Sequence, residues 1–194
     1  MKKQLIFATG NAHKLEEVKA ALDNGFEIVS LKELGLKEEI PETGNTLEAN
    51  ALQKARFVFE RFGKGCFSDD TGLEVEALGG EPGVYSARYS GIDASFDSNM
   101  DLLLRNLAGK ANRRARFRAV FALILDGKEY LFEGEIKGSI TTEKRGEAGF
   151  GYDPIFMPEG FDKVFAEMSM SEKNAISHRA KALEKMKEFL NQLK

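Results

Sequence analysis

The sequence predicts a mixed α/β fold from three observations. Short apolar runs alternate with helical patterns over the first half of the chain, a long hairpin signal sits in the second half, and the chain closes on an amphipathic helix. Early alternation calls for strands with helices between them, and the hairpin calls for antiparallel pairing. The expected architecture is therefore elongated and two-lobed, built around a long mixed β-sheet with a cleft between the lobes. At 194 residues a single domain over 1–194 is expected, with about 70% of the unfolded surface buried.

The elements follow in order. Residues 4–8 are a short apolar run that Thr9, Gly10 and Asn11 break; Leu15, Val18 and Leu22 then recur at helical spacing, and Gly25 stops the helix. Residues 27–30 read as a second strand. A second helix is expected from Asn45 as cap, with Glu48 three residues on as its capping-box partner. Its apolar stripe takes in Leu47, Ala51, Ala55, Val58 and Phe62, and Gly63 and Gly65 end it. Cys66 and Phe67 form a short buried strand that runs into Ser68, Asp69, Asp70, Thr71 and Gly72. Leu73, Val75 and Ala77 alternate with Glu74 and Glu76 as in a half-exposed strand, and residues 79–83 are a glycine-rich turn.

Residues 95–107 are helical, with Met100, Leu103, Leu104 and Leu107 facing inward. Residues 115–125 are a long strand, Asp126 and Gly127 a favoured tight turn, and residues 130–136 the returning arm. Residues 171–193 form the terminal helix, carrying Ile176, Leu183, Met186, Leu190 and Leu193.

Composition narrows the function. Hydrophobic residues at 42% and charged residues at 30% describe a soluble globular protein. Lys plus Arg number 28 against 31 Asp plus Glu, so the net charge of −3 lacks the basic excess of a general nucleic-acid binder. Arg113, Arg114, Arg116 and Arg118 cluster, but Arg116 and Arg118 alternate with Ala115, Phe117 and Ala119 and read as one exposed strand face or an interface. A single cysteine, Cys66, excludes an intrachain disulfide and a Cys-rich zinc site, and two histidines exclude a local His cluster. No apolar run approaches the ~20 residues of a membrane span, and residues 5–8 are too short for a secretory core. The expected location is the cytoplasm.

Four segments could carry chemistry. Thr9, Gly10 and Asn11, with Lys14 one turn on, form a strand-to-helix junction that either binds an anion at the positive helix end or is a plain cap beside a solvated lysine. Asp69 and Asp70 are adjacent carboxylates whose repulsion needs a cation or donors nearby; oxygen-only ligands favour Mg²⁺ over zinc, and Glu42 is a loop carboxylate that could reach the same metal. The alternative there is a polar turn. Residues 146–154 surround Phe150 with glycines, which suits either close backbone approach to a ligand with a stacking ring or a turn against the core. Lys173, Ser177, His178 and Arg179 gather donors on the terminal helix, with Lys173 and Ser177 on one face, or are simply structural.

In this order the segments resemble the inosine/xanthosine triphosphate pyrophosphatase family. The likeness rests on Thr9, Gly10, Asn11 and Lys14; on Glu42, Thr43 and Gly44 with Asn50, Ala51, Lys54 and Ala55; on residues 69–73 and 79–89; on residues 150–154; and on Lys173 with Ser177, His178 and Arg179. It runs from about residue 5 to about residue 185. The resemblance implies a Mg²⁺-dependent enzyme that hydrolyses non-standard purine nucleoside triphosphates (ITP, dITP, XTP) to the monophosphate and pyrophosphate, a two-lobed fold and a homodimer. It also implies roles. Thr9, Gly10, Asn11 and Lys14 are triphosphate contacts, with Lys54 an additional cation. Asp70 is the catalytic acidic residue and metal ligand, and Thr71 is a substrate contact where serine is common. Phe150, Gly151, Tyr152, Asp153, Lys173, His178 and Arg179 lie on the nucleoside side. Many members have two glutamates where this chain has Glu48 and Ala49, so Glu42 is taken as the second metal carboxylate. The rival expectations are another nucleotide pyrophosphatase, a nucleotide-binding protein without turnover, and a nucleic-acid module on the arginine strand.

Overall fold

The structure, a computed structural model, describes residues 3–22, 26–36 and 38–193. The expected stop at Gly25 lies outside the described residues. In chain order the elements are β1 (Lys3–Phe7), α1 (Ala12–Ala21), β2 (Phe26–Ser30), α2 (Leu47–Phe62), β3 (Cys66–Val75), β4 (Pro82–Gly83), α3 (Phe96–Asn106), β5 (Arg114–Leu125), β6 (Lys128–Ile140), β7 (Phe156–Pro158), α4 (Met170–Ile176) and α5 (His178–Gln192). The strands pair in the order β2-β1-β3-β5-β6-β7, with β4 on β3. Parallel β1–β2 and β1–β3 pairs coexist with antiparallel β3–β4 and β6–β7 pairs, so the sheet is mixed as the sequence predicts.

Local chemistry sets the ends. Asp126 and Gly127 both take positive φ, 51° and 75°, which is the backbone a two-residue turn between right-twisted strands needs. Thr46, not Asn45, caps α2: its hydroxyl accepts from Ala49 N–H at 3.1 Å, and Gly63 closes the helix at φ 59°. Ser95 and Ser98 form a reciprocal capping box on α3.

Two further expectations need correction. The acidic stretch is not the end of a short strand: β3 runs unbroken from Cys66 to Val75, because Phe67 pairs with Phe7 in register while Leu73 and Glu74 pair with β4. The strand stops there, and Ala77 lies in a single 3₁₀ turn (Glu76–Leu78). The terminal helix is also two helices. Ser177 takes extended φ −65° and ψ 153° between α4 and α5, so it cannot share a helical face with Lys173.

The chain falls into two compact units. The first takes the described residues up to Asp70, Ala119–Gly134 and those from Ala180; the second takes Thr71–Arg118 and Glu135–Arg179. Strands β3, β5 and β6 each give residues to both. In the first unit Phe7, Phe67 and Phe121 stack in sequence across neighbouring strands, at 4.6 Å and 6.2 Å between ring centres. Val18 from α1, Leu22 just after it, and Leu183, Met186 and Leu190 from α5 pack on the same core. The second unit has its own core around Leu73, Leu103, Phe117, Phe156 and Phe165. There Arg116 pairs with Glu74 at 2.7 Å and Glu135 at 2.9 Å, Arg118 pairs with Glu74 at 3.1 Å, and Arg113 donates to backbone carbonyls of Ile140 and Thr141. Arg113, Arg116 and Arg118 are thus engaged within the same unit, while Arg114 is exposed. No helix is long and apolar enough to cross a membrane among the described residues.

Candidate active site

In the first unit, β1 delivers Thr9, Gly10 and Asn11 to the start of α1. Asn11 Oδ1 accepts from His13 N–H at 3.0 Å and Lys14 N–H at 3.2 Å, and Thr9 Oγ1 accepts from Asn11 N–H at 3.1 Å. Asn11 is therefore the helix cap as well as a member of the junction. Gly10 is exposed, with nothing within 4 Å of where a Cβ would sit. Lys14 turns its ammonium to Asp69 Oδ2 at 3.0 Å.

Asp69 and Asp70 alternate along β3, and alternation separates their nearest partners. Asp69 takes Lys14, while Asp70 Oδ2 accepts from Asn50 Nδ2 at 3.1 Å and Asp70 Oδ1 lies 3.8 Å from Lys54 Nζ. Lys54 also binds Glu42 Oε1 at 2.5 Å. Asn50 and Lys54 are one turn apart on α2 and both buried. The electrostatics pull in opposite directions. Burial pushes the Asp70 carboxyl above the usual aspartate range, and Glu42 adds to that, while Lys54, Lys14 and the Asn50 hydrogen bond oppose it. Burial alone would lower Lys54, but Asp70, Asp69 and Glu42 outweigh it and hold the ammonium charged. Cys66, earlier on the same strand, is no rival nucleophile: burial pushes its thiol up to about 12.

Glu42 and Asp70 offer only carboxylate oxygens, and among the described residues no group of three His, Cys, Asp or Glu side chains could hold a metal alone. A hard cation of the Mg²⁺ kind needs no more, since it takes one or two carboxylates and completes its shell with water and substrate phosphate. The residues fit.

In the second unit, the loop after β6 brings Phe150, Gly151, Tyr152 and Asp153 to α4. Asp153 Oδ2 accepts from Phe150 N–H at 2.9 Å and from Lys173 Nζ at 2.8 Å. A Cβ on Gly149, which has φ +80°, would come within 2.1 Å of that same oxygen, so glycine is required for the turn to close. Lys173 Nζ sits 4.8 Å and Arg179 Cζ 5.5 Å from the Phe150 ring centre. Arg179 also reaches Thr71 Oγ1 at 3.4 Å. Tyr152 points elsewhere: its hydroxyl donates to Ser86 carbonyl at 2.8 Å, and burial raises its pKa. His178 lies flat on Phe117, with ring centres 4.7 Å apart. Sequence reasoning did not single out Phe96, 6.2 Å from Phe150, or Phe117 as site residues; Phe117 reads as an inward strand position, and Phe96 carries no motif of its own.

Comparison with known proteins agrees over nearly the whole chain. The model of the Ham1 family matches residues 5–189. A dITP/XTP pyrophosphatase of Porphyromonas gingivalis is 53% identical, covering 96% of this chain and 97% of the relative. One from Flavobacterium johnsoniae is 49% identical, covering 98% and 100%. Among solved structures, the Staphylococcus aureus Ham1 protein superposes with a TM-score of 0.90 at 38% identity, covering 99% of this chain and 100% of that one. The dITP/XTP pyrophosphatase of Mycobacterium abscessus gives 0.78 at 43% identity, covering 94% and 98%.

Proposed function

The chain belongs to the Ham1 family, and from that premise we propose that it hydrolyses dITP, ITP and XTP to the nucleoside monophosphate and pyrophosphate. The observation that supports the chemistry is Asp70, a buried carboxylate held between Lys54 and an amide donor.

Attack of water on the α-phosphorus needs a base, and pyrophosphate leaving needs its charge offset. An ordinary aspartate, with a pKa near 3.9, is a weak base. Burial raises Asp70 toward the working pH, which makes it better at accepting the proton of the attacking water. Lys14 and Lys54 set full positive charges beside Asp69 and Asp70, where a polyphosphate would gather negative charge. Glu42 and Asp70 would hold Mg²⁺, which supplies further charge neutralisation when bound. Thr9, Gly10 and Asn11 would contact the phosphates at the helix start.

For the base, Phe150 offers a stacking face, and Lys173 and Arg179 offer donors that suit the 6-oxo group of hypoxanthine or xanthine and mismatch the amino group of adenine. Asp153 would act by fixing Lys173 and the Phe150 backbone, with Gly151, Tyr152, Thr71 and His178 shaping that side. A cytoplasmic homodimer that does not bind nucleic acid completes the proposal; the net charge of −3 supports the last point. Incubation with dITP and Mg²⁺ tests the reaction: dIMP plus pyrophosphate is expected, and dIDP plus phosphate would refute the bond assignment.

A further inference from the structure

We infer that Asn50 is a positioning residue for the reaction: it locks the Asp70 carboxylate and the loop carrying Glu42 into one fixed arrangement. This deepens the reading of Asp70 as the base and rests on it. Asn50 has 0% exposure, and its carboxamide is used at both ends. Oδ1 accepts from Gly44 N–H at 2.7 Å, and Nδ2 donates to Asp70 Oδ2 at 3.1 Å. The orientation is dictated by chemistry. A backbone N–H can only donate, so the amide oxygen must face Gly44 and the nitrogen must face the carboxylate.

One buried side chain thus ties a loop, a helix and a strand together. The loop is pressed onto it without slack: a Cβ on Gly44 would meet Asn50 Oδ1 at 2.8 Å and Ala49 Cβ at 2.7 Å. One turn along α2, Lys54 holds Glu42 and Asp70, the latter at Oδ1. The two residues divide the work. An ammonium attracts a carboxylate in many orientations, whereas the amide N–H engages one oxygen along one line. Asn50 therefore decides that Oδ2 faces its amide and that Oδ1 turns toward Lys54. A base accepts a proton only along an aimed lone pair, and a misplacement of about 1 Å can cost about 100-fold in rate.

The test is a double-mutant cycle on turnover of dITP with Mg²⁺, combined with thermal melts to confirm folding. Asn50→Ala is expected to lower kcat by about 10–100-fold while KM stays within about threefold. In an Asp70→Asn background the same change should cost at least about threefold less than in the wild type, because the part of its effect that passes through Asp70 is already lost there and only the part through the Glu42 loop remains. Asn50→Ser, which withdraws the carboxamide from both partners without adding bulk, should behave alike and carries the cycle if Asn50→Ala does not fold. A folded variant with wild-type kcat, or an equal loss in both backgrounds, overturns the inference. Failure of the wild-type protein itself to release pyrophosphate from dITP overturns the underlying reading instead.

Discussion

The two units handle positive charge in different ways. In the first, Lys14 and Lys54 lie against the carboxylates Asp69, Asp70 and Glu42. In the second, Lys173 and Arg179 lie over the Phe150 ring, with Asp153 fixing Lys173. A cluster of lysines and acids can exchange its internal pairs for phosphate and a hard cation as charge arrives, which suits a reacting polyphosphate. Cations resting on a ring beside one anchoring acid present directed donors next to a flat surface, which suits an uncharged heterocycle. The contrast predicts that damage to the first unit lowers turnover, whereas damage to the second alters selectivity and affinity.

The largest expected effect is from Asp70→Asn, which should cut kcat by about 10²–10⁴-fold with nucleotide binding preserved; near-normal turnover in steady-state assays would break the comparison at its centre. Lys14→Ala should lower kcat/KM by about 100-fold for every triphosphate alike, as loss of one charge-stabilising donor does; a loss confined to one base would assign Lys14 to the wrong side. Lys173→Ala should compress the ITP-to-ATP preference by about tenfold or more. The ratio is the proper readout because removing one partner of a buried pair also destabilises the fold by about 3–5 kcal/mol. Phe150→Ala should raise KM about tenfold without changing that ratio, since stacking does not read the base.

The smallest effect is on stability. Burial raises the folded-state pKa of Asp70 above its unfolded value, so ionisation of this group favours the unfolded chain. The stabilisation is fully present below the unfolded pKa and lost as pH rises through the folded one. In Asp70→Asn, relief of the buried carboxylate favours the fold while loss of a partner for Lys54 opposes it, so the informative quantity is the pH trend: the Tm of the variant relative to wild type should fall as the pH drops from 7 toward 3. A lower Tm for the variant at pH 7 would mean that the Lys54 attraction outweighs burial.

Much of this was legible along the chain. The alternation of the first elements, the Asp126 and Gly127 turn, the stop at Gly63 and the strand face of Arg116 and Arg118 are all local patterns, and each stands in the structure. Other features were not legible. Continuous helical spacing across residues 171–193 gave no warning of the break at Ser177, because a serine costs little within a helix and the neighbouring packing decides its conformation. Asn50 lay inside a recognisable motif, yet its partners Gly44 and Asp70 come from other segments.

The sequence by itself determined which residue types exist to meet a phosphate, a hard cation and a base, and which short segments carry them. Periodicity and turn chemistry act over a few residues, so a linear reading captures them. Only the tertiary structure decided that Lys54 bridges Glu42 and Asp70, that Asn50 directs the carboxylate, and that His178 lies on Phe117. Those are encounters between segments distant in sequence, set by strand register and core packing, and no local pattern encodes where such partners meet.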